Sequence, residues 1–595
     1  MGGITGWVDW NRDLREERRI LREMTGTLAR RGPDAEEVWL STRAALGHRR
    51  LAVIDAPGGT QPMPVPVGEE PAAVVTFDGQ LYNARELRTE LINAGHQLRT
   101  NSDTEVLAHA YLQWGEGFVT RLNGMFAVAV WDPANEELLL VRDRLGGKPL
   151  YYADYGTGLL FGSEPKAIIA NPLFTPEVDD EGIAEIFAMP GAPTPGFGTY
   201  RGMRAVRPGT LVRFSRTSAT RVSRYWQLAS REHPDDLATT ARTVRELLED
   251  IVARQLVSDV PLGAVLSGGV PSGALTALAA GALDRTNRGK LSTFSPVSPE
   301  IGAELGRVAE SLGTVHIPIA VSSDEFAGAG PVGLHARDLP SWGATDLWLY
   351  LLARGISRHT TVALSADGAD EVFGVYRFYA RPEARTADTF PWLVWNRLGP
   401  AGLLKPEVRA QIRLEEYLAD RYTQARAEVP RLAGEQGQAR HLRETCYLVL
   451  TRWLPTLLDR MDRLGMAASL QLRLPYCDHR LVEYLWNVPW ELKTAGGPGP
   501  GLLRLATTDL LPSEVVDQPR GNYPSYLDGG YYMTLRSWMR ELLADPSAPL
   551  FDLVERNVVR SLVDFGHPVP GPRMPGIAYL LDINEWLKTY RVRVR

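Results

Sequence analysis

The pattern of apolar and polar positions changes character about a third of the way along the chain. Up to residue 210, short apolar runs alternate with turn residues. Ala44–Ile54, Ala72–Phe77, Met125–Trp131, Glu137–Arg142, Leu150–Ala153 and Leu159–Ser163 read as strands. Helical spacing falls at Arg15–Leu28, Ala84–Ala94 and Ser102–Trp114. Runs of strands with few helices predict an α+β domain of packed antiparallel sheets over residues 1–210. Residues 190–230, rich in Pro, Gly and Thr, read as a connector. From about Asp235 the texture becomes helix–strand alternation. A helix over Ala238–Leu256 leads into a strand at Leu262–Leu266, and LSTFSPV, TVHIPIA and TVALSADG follow as strands between helices. That order predicts a parallel, doubly wound α/β sheet in a second domain, 211–595. Residues 380–490 read as largely helical, and no internal repeat is visible.

Composition narrows the class. The 595 residues are too many for one core, and 44% hydrophobic with 23% charged content is ordinary for a globular protein. A net charge of -6 supplies no basic footprint for nucleic acid and no polybasic patch for a membrane. The two cysteines, Cys446 and Cys477, lie in no CxxC and near no His cluster, so neither a disulfide framework nor a zinc site is expected. MGGITGWVDW lacks a positive region followed by an apolar run, and no stretch reaches the roughly 18 apolar residues of a membrane span. A reducing cytoplasm is the expected location. The excess of Arg over Lys fits a GC-rich bacterial genome.

The most informative stretch is Pro261–Ala280, PLGAVLSGGVPSGALTALAA. It reads as a buried strand, a tight loop from Ser267 to Pro271 and a helix from Ser272 onward. Ser267, Gly268, Gly269 and Ser272 are candidates for an anion site, with glycines admitting a phosphate and helix N–H groups holding it. The loop is close to SGGxDS, the ATP-pyrophosphatase pattern. Pro271 stands where that pattern has its metal-binding aspartate. Proline brings no carboxylate and no N–H, yet it suits the first turn of a helix.

Further pieces fall in a set order: RGPD (Arg31–Asp34), GHRRLAVID (Gly47–Asp55), FDGQLYN (Phe77–Asn83), SDTE (Ser102–Glu105), LNGMFA (Leu122–Ala127) and RDRLGGKPLYY (Arg142–Tyr152). LSADGADEVFGVY (Leu364–Tyr376) and DRMDRLGMAASLQLRLPYCDHRLVEY (Asp459–Tyr484) follow the SGG loop. Singly these are turns and salt bridges. Together the chain resembles the glutamine-hydrolysing asparagine synthetase family over nearly its whole length. The resemblance implies an Ntn-type class-II glutaminase domain followed by an ATP-pyrophosphatase-like synthetase domain that adenylates a carboxylate.

The same resemblance exposes departures. The family's nucleophile is a cysteine at position 2, freed by removal of Met1, with its own α-amine as base. Here position 2 is Gly2. The oxyanion asparagine falls on Asp78, followed by Gly79, and Gln80 replaces a glutamate. The glutamine-carboxylate arginine remains as Arg49 or Arg50, and Asp103 of SDTE remains. A carboxylate beside a developing oxyanion repels it, so the expectation is a degenerate glutaminase site.

In the second domain Asp367, Asp370 and Glu371 carry over, and so does Arg473; these four are the candidate catalytic residues of the acyl end. Ala366 and Val375 replace glycines, Gly465 a serine and Gln471 a glutamate. The family's phosphate-facing lysine falls on Pro500, and Arg520 could serve as the charge of a second one. ATP and Mg²⁺ are implied by the resemblance, while Pro271 and Pro500 argue against both, and no metal ligand set is assigned. Three readings follow. One is a repurposed enzyme of specialised metabolism acting on a small carboxyl or acyl substrate without glutamine hydrolysis. Another is a non-catalytic homologue that binds a ligand or an active paralogue. A third is an ammonia-using asparagine synthetase. A homodimer or a paralogue pair is the expected partner state, without nucleic acid or membrane.

Overall fold

Apolar strands that alternate inward and outward faces build the first domain. The computed structural model describes residues 1–595 except 68–69, 297–298, 342, 380, 382, 385–386, 395–399, 498, 518–528 and 565–573. The strands are β1 (Gly2–Asp9), β2 (Ala35–Leu40), β3 (Ala44–Arg50), β4 (Met63–Val67), β5 (Glu70–Leu81), β6 (Gly124–Asp132) and β7 (Glu137–Arg142). They continue as β8 (Tyr151–Asp154), β9 (Gly158–Gly162), β10 (Glu177–Val178), β11 (Met203–Ala205), β12 (Thr210–Ser215) and β13 (Ser218–Arg224). Two six-stranded antiparallel sheets result, ordered β11-β8-β9-β1-β3-β2 and β13-β12-β7-β6-β5-β4. Between them pack Ile4, Val8, Leu46, Ala127, Ala129, Trp131, Leu140 and Phe161. Helices Ala84–Asn93 and Asp103–Trp114 cover the outer face of the second sheet through Leu87, Leu91, Val106 and Leu107. This is the Ntn-type sandwich. The stretch read as a connector carries β11, β12 and β13, which complete both sheets; its Gly and Pro residues mark the turns between short strands.

The second domain opens with the helix Leu237–Gln255. Its sheet runs through β14 (Leu262–Val265), β15 (Ser292–Pro296), β16 (Val315–Ile319), β17 (Val362–Leu364) and β18 (Gln471–Arg473). The order is β16-β15-β14-β17-β18, and every pair is parallel. The strand order reverses between β14 and β17, so a crevice opens beyond their carboxyl ends, the usual ligand position of such sheets. The SGG loop leaves β14 there and the LSADGADE loop leaves β17. Helices fill most of the remaining C-terminal part, and β19 (Arg593–Val594) returns to pair with β10 of the first domain. Among the described residues, no helix is long and apolar enough to cross a membrane.

Candidate functional site

The first-domain site lies where β1, β3 and β5 meet. Gly2 begins β1 opposite Arg50 of β3. Its φ of +143° belongs to the region that essentially only glycine occupies, and a Cβ there would sit 1.8 Å from the Arg49 carbonyl oxygen. Position 2 has no room for a side chain. Asp78 on β5 is wholly buried. Its Oδ1 accepts the Gly2 N–H at 2.9 Å and its Oδ2 accepts from Arg31 Nη2 at 2.7 Å, with Lys148 Nζ 3.7 Å away. Burial alone raises the Asp78 carboxyl, but Lys148 and Arg31 outweigh it and hold the group below the usual carboxylate range. Arg31 also donates from Nε to the Gly2 carbonyl at 2.8 Å and pairs with Glu164 at 3.0 Å and Asp462 at 2.7 Å. Lys148 reaches Asp462 at 2.5 Å. Asp462 belongs to the second domain's helix Leu454–Ala467, so a buried ion cluster joins the two domains under position 2.

Beside it, Gly79, Gln80, Arg50 and Asp103 line a small pocket. Adjacent residues of a strand face opposite ways. Arg50 therefore points into the pocket, while Arg49 is paired with Glu36 of β2. Burial pushes the Asp103 carboxyl up to about 6, although it accepts the Leu81 N–H at 2.9 Å.

In the second domain the SGG helix starts at Val270, two residues earlier than expected, because Pro271 fits its first turn. Gly268 takes φ +85°, and the Ser272 hydroxyl accepts from Ser267 N–H at 3.1 Å and from Ser267 Oγ at 3.0 Å. The Pro271 carbonyl accepts from the Tyr476 hydroxyl at 2.8 Å. Pro500 precedes the helix Gly501–Thr507, and Arg520 lies outside the described residues. The SGG loop thus presents backbone groups and hydroxyls, with neither a carboxylate at 271 nor an ammonium at 500.

The loop after β17 is richer. Gly368, at φ +92°, turns the chain from β17 into the short helix Ala369–Phe373, which carries Asp370 and Glu371. Asp367 accepts from Ser365 Oγ at 2.5 Å. Glu371 is buried, and its carboxyl accepts from the Tyr376 hydroxyl, which in turn accepts from Trp453 Nε1 at 3.0 Å. Burial, with Asp370 beside it, pushes Glu371 up to about 7. Ala366 and Val375 take no positive φ, as their side chains require. Arg473 meets this loop only through its backbone, whose carbonyl accepts the Ser365 N–H at 2.9 Å. Its guanidinium turns away from the loop instead, donating from Nη1 to the carbonyls of Gln255 and, at 2.8 Å, Val257 at the end of its own domain's first helix. Gln80 donates to the same Val257 carbonyl at 3.2 Å. Burial brings Arg473 down to about 10. Among the described residues, no three His, Cys, Asp or Glu side chains gather as a metal-binding set.

Residues 243–588 match the family model described as asparagine synthase, and residues 1–226 match the one described as glutamine amidotransferase domain. The chain belongs to the asparagine synthetase family. It is 36% identical to the glutamine-hydrolysing asparagine synthetase 3 of Bacillus subtilis (strain 168) over 100% of both chains. It is 26% identical to asparagine synthetase 1 of the same organism, over 92% of this chain and 90% of the relative. Asparagine synthetase B of Escherichia coli (strain K12) is 29% identical over 65% of this chain and 66% of its own.

Seen as a family member, the chain has fitted its departures into its packing. At Gly465 a Cβ would lie 2.8 Å from the Leu470 carbonyl, so the family's serine has no space. Gln471, on the same face of β18 as Arg473, is fully buried with both amide atoms unpartnered. A glutamate there would have supplied a charge toward Arg473. The amide does not. Sequence reasoning missed Lys148, Asp462 and Glu164 as members of the first-domain cluster. Lys148 and Asp462 lie in quoted motif pieces, but partners 314 and 133 residues apart leave no local sign that these side chains meet.

Proposed function

We propose that this chain is a repurposed member of the asparagine synthetase family, a cytoplasmic enzyme of specialised metabolism that acts on a small carboxyl or acyl substrate without hydrolysing glutamine. The observation that carries the reading is position 2, where the Arg49 carbonyl occupies the place of a side chain. No thiolate can form there. Asp78, ionised and tied to Arg31 and Lys148, fills the oxyanion position with negative charge.

The retained chemistry is at Asp367, Asp370 and Glu371. A carboxyl pushed up to about 7 exchanges its proton near neutral pH, which suits a general acid–base, and the Tyr376 hydroxyl fixes its orientation. Asp370 and Asp367 lie near enough to raise it further, and Glu371 is the group that takes a proton from an attacking nucleophile at the acyl carbon.

An ATP–Mg²⁺ complex does not fit the phosphate end. Mg²⁺ held through phosphates needs one or two carboxylates, and Pro271 replaces one while its carbonyl is bound to Tyr476. We write no step through a nucleotide. The prolines at 271 and 500 favour, as a second reading, a homologue that binds a ligand or a paralogue without turnover.

The test is direct. Incubated with glutamine, the pure protein should release no more glutamate than a buffer blank, and Glu371→Gln should abolish conversion of the true substrate while Ser267→Ala matters much less. Glutamate release above the blank sinks the first half of the reading. Dispensable Glu371 with essential Ser267 sinks the second.

A further inference from the structure

A long helical stretch runs beside the loop after β17, and one wide turn interrupts it. The helix Gly437–Leu448 passes through a π turn, Val449–Trp453, into the helix Leu454–Ala467. The cause is in the sequence. Pro455 stands in the first turn of the second helix, where it has no N–H for the Thr451 carbonyl four residues back, and its ring crowds that carbonyl. The Thr451 carbonyl accepts from Arg452 Nη1 at 3.3 Å instead, and the chain closes the turn with a bond from the Leu454 N–H to the Val449 carbonyl. Such turns recur at functional sites. One extra residue rotates the two halves of the stretch by about 100° relative to one another. Trp453 ends the wide turn, with its indole toward Tyr376.

The bonds that follow run in one direction while Glu371 is ionised. An indole N–H only donates. Trp453 Nε1 donates to the Tyr376 oxygen at 3.0 Å, so the hydrogen of Tyr376 points elsewhere, and Glu371 Oε1 is the acceptor it meets. Rings hold Tyr376 in this line. Phe378 stacks on it with centroids 5.0 Å apart at 21°, and Trp453 meets it edge-on at 6.4 Å and 88°. Trp392 backs Trp453 at 5.4 Å.

No neighbouring cation takes the place of Tyr376. Asp370 and Asp367 raise the Glu371 carboxyl, and the Cys477 thiol and Tyr379 hydroxyl lie within its electrostatic reach. Arg452 of the π turn is paired with Glu428 at 3.1 Å. In the helix His479–Asn487, Arg480 pairs with Asp478 at 2.9 Å and His479 lies 3.8 Å from the same carboxylate. Among the described residues, no Lys, Arg or His forms an ion pair with Glu371.

We propose that Trp453 is a positioning residue of the Glu371 site: delivered by the π turn, its N–H aims the Tyr376 hydroxyl at Oε1 of Glu371 and leaves Oε2 as the atom that takes the proton. That Glu371 works as a base rests on the function proposed above; the direction of the bonds does not.

The test is the titration of Glu371 itself, followed in the full-length protein through the infrared carboxyl band that Glu371→Gln removes. The wild-type midpoint is expected near 7. A hydrogen bond to the charged form favours that form, so Tyr376→Phe should move the midpoint up by about 1 pH unit. Trp453→Phe keeps an aromatic ring and loses the N–H that polarises the Tyr376 hydroxyl. It should move the midpoint the same way by less, and no further in a Tyr376→Phe background. Pro455→Ala, which removes the cause of the wide turn and leaves every ring in place, should also move it up, and covers the case in which Trp453→Phe does not fold. A midpoint indifferent to both Trp453→Phe and Pro455→Ala overturns the proposal. So does a Trp453→Phe shift that is equal in the wild type and in Tyr376→Phe, which would mean packing alone, and so does the lack of any titrating band that Glu371→Gln removes. Turnover that proves independent of Glu371 would sink the proposed function and leave these midpoints as they are.

Discussion

Gly2→Cys restores the family's nucleophile in the sequence and should fail to restore it in the protein. The new Cβ would stand 1.8 Å from the Arg49 carbonyl oxygen, 2.8 Å from its carbon and 3.1 Å from Arg50 Cα. All three are backbone atoms of β3, which pairs with β1 from Gly2 to Val8, so no flexible side chain can yield. Two costs add. Holding a non-glycine residue at φ +143° costs about 1–3 kcal/mol. Moving the strand end instead stretches the Gly2 N–H bond to Asp78 at 2.9 Å and the Arg31 bond to the Gly2 carbonyl at 2.8 Å, each worth about 1.5–3 kcal/mol with its charged partner. A loss of about 2–5 kcal/mol follows, since relaxation trades one cost against the other. The assay is thermal unfolding of wild type, Gly2→Ala and Gly2→Cys, with glutamate release measured on each. Because the Cβ is the obstacle, Ala and Cys should be destabilised alike, and neither should hydrolyse glutamine. A Gly2→Cys protein that melts with the wild type, or that releases glutamate above the blank, refutes the reasoning.

Other outcomes follow from the same sites. Asp78→Ala leaves Arg31 and Lys148 with a missing partner in a buried cluster and should cost about 3–5 kcal/mol, read as a lower unfolding midpoint. Its carboxyl is held below the ordinary range, so the stability it contributes is present at neutral pH and lost as pH falls through the folded value. Glu371 has the opposite sign. Raised to about 7 from 4.5, its protonated form favours the fold below about 4.5, and that contribution disappears as pH rises through about 7. Glu371→Gln should remove this part of the pH–stability curve, and an unchanged curve would contradict the burial argument. Calorimetry with ATP should show weak binding that Mg²⁺ improves little, and tight Mg²⁺-dependent binding would return the phosphate end to use.

Much of this was legible in the chain, for physical reasons that differ by element. β6, β7, β8 and β9 are apolar runs bounded by turns, and the pattern marks them within a residue or two. β1, whose sequence is GGITGWVD, was invisible because three glycines break the alternation; its place at the centre of a sheet comes from pairing on both sides. β18 is three residues long and is defined only by its neighbour β17. At the sites, motifs gave Asp78, Asp367 and Glu371, but the choice between Arg49 and Arg50 needed strand register. The direction of the Arg473 side chain needed the Gln255 and Val257 carbonyls, which no local pattern brings to it.

The charge count around Asp78 explains why a carboxylate is stable where the family has an amide. Arg31 and Lys148 both face Asp78 and share Asp462, while Lys166 bridges Glu164 to Asp338. Put a neutral asparagine at 78 and Arg31 and Lys148 lose one negative partner beside position 2. An excess positive charge beside the reacting carbonyl is what a developing oxyanion requires. In a protein without a nucleophile it is only an unpaired buried cation, the costly case. On the proposed reading, with Gly2 at position 2 no oxyanion forms to use that charge, and Asp78 neutralises it. On the same reading, the substitution at position 78 is also the one that completes the ion pairs of Arg31 and Lys148, at the joint between the two domains.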